Sequence, residues 1–284
     1  MEVVRWEERP ELHRPVLIAA FEGWNDAGDA ASTAARYLSA EWGGRRIATL
    51  DPEEFYDFTV VRPEVRLVDG ITRAVDWPTN ELAVAPTANH DVVFLHGIEP
   101  QLKWRTYTEQ IVGLAKELGV ELAVTLGALL ADVPHTRPVR VTGTAASAEL
   151  VGRLGLEQSR YEGPTGIVGV LHDALARAGI PSASLWATVP AYVAKTPSPK
   201  GALALVERAA ALLGSSVEVV SLQIAASAYE RQVSEVVDED EDVASYVRSL
   251  EESDDAEQAS ELAGGDTLAA EVEQFLREHG DTSN

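Results

Sequence analysis

The chain has 284 residues, of which 45% are hydrophobic, a net charge of −23 and no cysteine. This excludes a disulfide framework, a thiolate nucleophile and a cysteine-ligated metal, and the charge argues against nucleic acid, whose phosphates need a basic surface. No apolar run reaches the roughly 18 residues that a membrane span needs, and the N-terminal Met1–Glu8 stretch has no signal-peptide pattern, so a soluble cytoplasmic protein is expected.

The apolar, partly β-branched run Val16–Phe21 stops at Glu22-Gly23-Trp24-Asn25-Asp26, and an alanine-rich helical pattern follows over Ala27–Trp42. Strand, tight turn and helix make the opening unit of an α/β sheet. Its loop falls at the carboxyl end of a strand, where open α/β sheets bind ligands. Asp26 and Asp29 are placed to cap the helix. Carboxylates crowded at a helix N-terminus make a poor phosphate site. The alternative is a carboxylate pair that binds hydroxyls, a base edge or a divalent cation. Glu22 is not needed for capping, so it is the candidate acid/base or hydroxyl-binding carboxylate, with Asn25 and Asp26 beside it as ligand-binding candidates.

Further strands are predicted at Arg46–Leu50, Asp91–His96, Glu121–Leu126, Val139–Thr142 and Ala183–Val189. Further helices are predicted at Tyr107–Leu118, Ala145–Leu154, Gly166–Ala178 and Gly201–Leu213. Val65–Val68 and Thr72–Val75 read as a hairpin, because the Asp69-Gly70 pair between them is a strong turn signal. The alternation predicts an α/β fold: a mostly parallel sheet flanked by helices.

Four later strand-end loops carry candidates. His96 ends the run Val92–Leu95, a position from which a general base could act. His135 and Arg137 lie in the proline-stiffened loop Gly127–Pro138; they suit an anionic ligand or pairing with the acids of the first loop. In Tyr161–Gly169, Thr165 is the expected helix cap. The first turn after it holds no acid, so its Thr165 and Gly166 amides are free to meet a carbonyl, carboxylate or phosphate. In the loop after Val189, Ser198 is placed as cap and Pro199 as first residue of a helix. There is no P-loop, no Gly-x-Ser-x-Gly elbow and no His-Glu-x-x-His helix. No cofactor and no metal site are expected.

The charge is uneven. Residues 230–284 hold 18 acidic and 3 basic side chains, which sets a core domain of residues 1–214 apart from an acidic helical tail of residues 215–284. Ser215-Ser216-Val217-Glu218 is a capping-box signature. After it Val219, Leu222, Ala226, Tyr229, Val233, Val236, Asp240, Val243, Val247 and Leu250 form a heptad seam, with the acidic run Asp238–Asp242 as a candidate break. A short helix over Thr267–Glu278, capped by Asp266, would place Leu268, Val272, Phe275 and Leu276 on one face. The tail is either an oligomerisation or partner-binding arm, or an amphipathic helix folded back on its own body.

Five strings in order carry a resemblance: Phe21–Gly28, His96–Pro100, Val133–Pro138, Tyr161–Ile167 and Leu185–Pro190. Together they resemble the proteasome assembly chaperone family, in its actinobacterial branch, over roughly residues 14–214 with a helical tail. The resemblance implies a phosphorylase- or hydrolase-like α/β fold and a non-catalytic assembly or interaction protein. It also implies self-association as a homo-oligomer, with a trimer as the expected stoichiometry, and proteasome subunits as partners. The alternative from the residues themselves is a small-molecule protein with a pocket at the carboxyl edge of the sheet, a nucleoside-like hydrolase, phosphorylase or ligand sensor. On that reading Glu22, His96 and His135 are the catalytic candidates, and Arg137 with the Thr165–Gly166 amides holds an anionic group.

Overall fold

The run Val16–Phe21 lies at the heart of an eight-stranded sheet in the computed structural model, which describes residues 3–70, 72–145, 147–156 and 162–256. The strands are β1 (Val4–Trp6), β2 (Val16–Glu22), β3 (Arg45–Leu50), β4 (Glu64–Val68), β5 (Thr72–Asp76), β6 (Asn80–Pro86), β7 (Asp91–Ile98), β8 (Leu122–Ala131), β9 (Val141–Ala145) and β10 (Ser182–Pro190). The helices are α1 (Ala30–Glu41), α2 (Trp104–Glu117), α3 (Ala148–Leu154), α4 (Ile167–Arg177), α5 (Pro199–Leu213) and α6 (Val220–Asp238). Residues 241–256 are helical and are called α7.

The sheet runs β1-β3-β6-β7-β2-β8-β10-β9, with β4 and β5 forming a separate hairpin. The central strands β7, β2, β8 and β10 are parallel. Antiparallel strands complete it on both sides, so the α/β sheet is mixed around a parallel centre. Helices cover both faces. Val16, Ile18 and Ala20 join the core under α1 and α5, and Leu17, Ala19 and Phe21 join the core under α2 and α4. A strand covered on both faces has no polar face to keep, which is why β2 reads as an unbroken apolar run.

Two strands had no clear sequence signal. β1 is only three residues long. β6 opens on Asn80, contains two alanines and closes on Pro86, residue types that score poorly as strand formers. It forms because β3 and β7 flank it and both its faces are buried: Leu82 and Val84 on one side, Ala83 and Ala85 on the other.

Several boundaries moved for local reasons. Ala27–Asp29 is a 3-10 turn, and α1 begins at Ala30. Gly28 has φ +58° and a Cβ there would stand 2.9 Å from the Ser198 Cβ, so the loop closes against the start of α5 only with glycine. The helix expected from Ala145 begins at Ala148, because Ala145 still pairs in β9 and the Ser147 hydroxyl accepts the Leu150 N–H at 3.2 Å. Ser198 caps α5 as expected, accepting Gly201 N–H at 3.2 Å.

The tail leaves α5 at Gly214. Glu218 Oε1 accepts the N–H groups of Val219 and Val220 at 3.0 and 3.1 Å, and α6 follows. The helix stops at the acidic run, where Asp240 Oδ1 accepts from Asp242 N at 3.0 Å and Val243 N at 3.2 Å and starts α7. Leu222, Ala226, Tyr229, Val233 and Val237 are buried. Leu222 joins the core under α1 and α5, and Tyr229, Val233 and Val237 pack with Tyr192 and Val193 of the same chain. Val236, an expected seam residue, faces solvent. A straight helix turns every 3.6 residues rather than 3.5, so the buried stripe drifts from Val236 to Val237. The short helix predicted over Thr267–Glu278, with Asp266, Leu268, Val272, Phe275 and Leu276, lies outside the described residues.

Candidate functional site

The carboxyl ends of β2, β7 and β8 are locked together by a few buried polar side chains. Asn80 at the start of β6 is fully buried. Its Oδ1 accepts from the hydroxyls of Tyr56 at 2.9 Å and Tyr107 at 2.5 Å, and its Nδ2 donates to the Ile98 carbonyl at 3.0 Å. A Cβ on Gly97 would meet Asn80 Nδ2 at 2.2 Å, with φ at +154°, so glycine is required for β7 to pass this hub. Burial pushes both tyrosine hydroxyls up, which keeps them as neutral donors.

The hub fixes the end of β7 and thereby Glu99. Glu99 Oε1 accepts the Ile167 N–H at 2.8 Å and Asn25 Nδ2 at 3.3 Å, while Oε2 accepts the Trp24 N–H at 3.3 Å. One carboxylate from the β7 loop thus caps α4 and holds the first loop. The cap expected at Thr165 falls instead on Gly166, whose position has no capping side chain of its own. Gly166 is glycine for packing: a Cβ there would stand 2.0 Å from Asn25 Nδ2. Glu99 is the residue that sequence reasoning missed. Its only signal was its place in the string His96–Pro100, because the helix it caps lies 68 positions away.

Asp26 is buried and its Oδ1 accepts from Ala31 N at 2.7 Å and Ser32 N at 3.2 Å, at the first turn of α1. Its Oδ2 is buried with no hydrogen-bond partner. Burial raises its pKa above the ordinary carboxylate value, against the lowering effect of the Ser32 and Ala31 bonds. The Asn25 carbonyl accepts Ala128 N–H at 2.8 Å, which stitches the loop to β8.

A cleft of about 1230 Å³ opens beside this assembly. Asn25, Asp26 and Thr165 line it, as do His172 of α4, Thr142 and Thr144 of β9, and Ser184 and Trp186 of β10. The Trp186 ring lies over Gly127, where a Cβ would come within 2.5 Å of it. Burial lowers the His172 pKa, and its Nδ1 is buried without a partner. At the mouth stand Trp24, Leu129 and Leu130, all exposed.

The remaining candidates lie elsewhere. Glu22 forms an ion pair with Arg36 of α1, which also donates to Ser32 Oγ at 3.0 Å. His96 has its pKa lowered chiefly by burial, with Glu81, Arg36 and Glu22 as neighbouring charges. Neither Glu22 nor His96 lines the cleft.

His135 and Arg137 face the tail, not the acids of the first loop. His135 Nδ1 is 2.8 Å from the Tyr192 hydroxyl and Nε2 is 2.9 Å from Ser234 Oγ of α6. Burial, with Lys200 beside it, depresses its pKa. Arg137 donates from Nε and Nη2 to the two oxygens of Asp255, both at 2.9 Å. Arg140 pairs with Asp254 at 2.6 Å, Lys200 pairs with Glu230, and Thr136 donates to Glu251. Among the described residues, no group of three or more His, Asp or Glu side chains could hold a metal ion, and no helix is long and apolar enough to cross a membrane.

The sequence profile of the PAC2 family matches residues 20–237. The chain belongs to the PAC2 family. Among solved structures it is similar to a PAC2 family protein from Streptomyces avermitilis, 48% identical with a TM-score of 0.77, over 82% of this chain and 99% of that one. It is also similar to a proteasome-assembly chaperone homologue from Mycobacterium tuberculosis, 45% identical with a TM-score of 0.75, over 82% and 99% of the two chains. An archaeal proteasome activator from Pyrococcus furiosus shares the fold at 18% identity, with a TM-score of 0.66 over 82% of this chain and 97% of that one. A search of curated proteins finds no relative. In this PAC2 chain the strings around Glu22, Glu99, His135 and Gly166 serve two assemblies: the locked carboxyl edge and the tail clasp.

Proposed function

We propose that this chain is a non-catalytic, chaperone-like interaction protein that acts in the cytoplasm on proteasome subunits as a homo-oligomer, with a trimer as the expected form. The observation that carries this reading is the use made of acids and bases near the strand ends. Glu22 binds an arginine, Asp26 and Glu99 hold backbone N–H groups, and both ring nitrogens of His135 are engaged. Beside them an apolar rim of Trp24, Leu129 and Leu130 stands exposed, which suits a protein surface better than a reacting centre. The 45%-identical chaperone homologue supports the choice of partner.

Native mass spectrometry of the full-length chain, alone and with unassembled proteasome α and β subunits from the same cell, tests it. A mixed complex that disappears as mature proteasome forms is the expected result. A homo-oligomer that ignores those subunits would overturn the proteasome link.

The second reading, a pocket for a nucleoside-like ligand, draws on one feature. The Trp186 floor lies in a cleft whose lining residues Asp26 and His172 each have a buried atom without a partner. Calorimetric titration with nucleosides and nucleoside phosphates separates the two, since only this reading expects saturable heat that Asp26→Asn changes.

A further inference from the structure

Besides the cleft mouth, the β4–β5 hairpin exposes a second apolar surface. Val65 lies opposite Val75, and Leu67 opposite Arg73, so these four side chains share one face. Val65, Leu67 and Val75 are 61%, 62% and 48% exposed. The other face carries the Arg66–Asp76 ion pair and the half-buried Val68 and Ala74. None of Val65, Leu67 and Val75 joins a hydrophobic core cluster of the chain. A two-stranded hairpin is marginal by itself, and a clustered apolar face on one marks a contact surface.

We infer that this face docks into the cleft mouth of a second copy of the chain, Leu67, Val65 and Val75 against Trp24, Leu129 and Leu130, with Arg73 toward Asp29. The inference rests on the homo-oligomer reading above. Charge selects the occupant. The chain carries −23, so two copies repel over most of their surface. Residues 60–77 are an exception, with three arginines (Arg62, Arg66, Arg73) against three acids (Glu64, Asp69, Asp76). Arg73, the one charged side chain on the apolar face, has no ion pair among the described residues. Neither has Asp29, an exposed carboxylate that lines the cleft beside the buried Asp26. A cation among aliphatic side chains thus meets a cleft whose lining holds Asp26 and Asp29 against the single cation Lys195, together with Trp24, Leu129 and Leu130. The contact is heterologous, hairpin of one copy to cleft of the next, so it closes into a ring when the rotation permits.

The chain has no cysteine, which makes cross-linking clean. The doubly substituted Leu67→Cys, Leu130→Cys chain is expected to form a ladder of disulfide-linked species under mild oxidation. The ladder should end at the mass of the native oligomer. Each single variant is expected to remain uncross-linked. Arg73→Asp and Asp29→Arg should each weaken association by about tenfold or more, and the double reversal should restore it. All four positions are exposed, so circular dichroism should match the parent chain; melting should match it too except for Asp29→Arg, which places arginine at φ +51° at the start of α1 and should melt somewhat lower. A parent chain that is monomeric in native mass spectrometry defeats the oligomer reading itself. A parent oligomer whose dissociation constant Arg73→Asp leaves unchanged overturns the inference alone. So does one in which Leu67→Cys cross-links to itself or to a proteasome subunit.

Discussion

Replacing Glu99 by alanine removes three hydrogen bonds at once. The Ile167 N–H loses its 2.8 Å acceptor inside a residue with no solvent exposure, and Trp24 N and Asn25 Nδ2 lose their 3.3 Å partners. A bond to a charged acceptor contributes about 1.5–3 kcal/mol, and a buried donor left unpaired costs about 1–3 kcal/mol. A helix cap alone is worth about 1 kcal/mol. These values overlap, because they describe the same N–H, so the expected cost is about 3 kcal/mol. For a chain of this size that lowers the melting temperature by about 6–12 °C. Glu99→Gln keeps an acceptor for Ile167 and should cost about 1 kcal/mol. Glu22→Ala breaks an ion pair whose side chains are 40–45% exposed, worth about 0–1 kcal/mol. Differential scanning calorimetry of the three variants decides the matter. Equal shifts for Glu99→Ala and Glu22→Ala, or a Glu99→Ala shift under about 2 °C, would refute the claim that Glu99 holds the carboxyl edge together.

Other expectations follow from the same contacts. Asp26 has a raised folded pKa, so the native state binds more protons than the unfolded one and stability falls as pH rises from about 3.8 through the folded value; Asp26→Asn, which keeps the Oδ1 acceptor, should be at least as stable as the parent at pH 7, with the gain vanishing in melts below about pH 4. Asp26→Ala, which also removes the cap, should cost about 1 kcal/mol at low pH. His135 has a lowered folded pKa, so its contribution is present above about 6.5 and is lost as pH falls through the folded value. Hydrogen exchange should therefore show residues 220–256 opening more readily at pH 5.5 than at pH 7, an effect that His135→Asn reduces. Val233→Asp buries an unpaired charge at a site 5% exposed and should release the tail to trypsin at Arg231 and Arg248, whereas Val236→Asp, at a site 64% exposed, should change stability by less than about 0.5 kcal/mol. Equal trypsin sensitivity of the two variants would refute the packing of α6.

Local pattern was enough for much of this molecule. The apolar runs named the central strands, the 3.6-residue period named the helices, Asp69-Gly70 named the hairpin and Ser198-Pro199 named the start of α5. In each case the determining interaction lies within a few residues or is a single apolar face, and such features survive in a linear string. Tertiary structure decided the rest. β6 exists only because β3 and β7 pair with it. Val237 replaces Val236 inside because the α-helix turns every 3.6 residues, not 3.5. Glu99, read as a loop residue, is the cap of a helix 68 positions away, while the more conspicuous Glu22 binds Arg36 off the cleft. His135 and Arg137, expected at a strand end to meet an anionic ligand or the acids of the first loop, are held by Ser234 and Asp255 of the tail. Each of these depends on which backbone ends meet in space, and charge or hydropathy along the chain carries no record of that meeting.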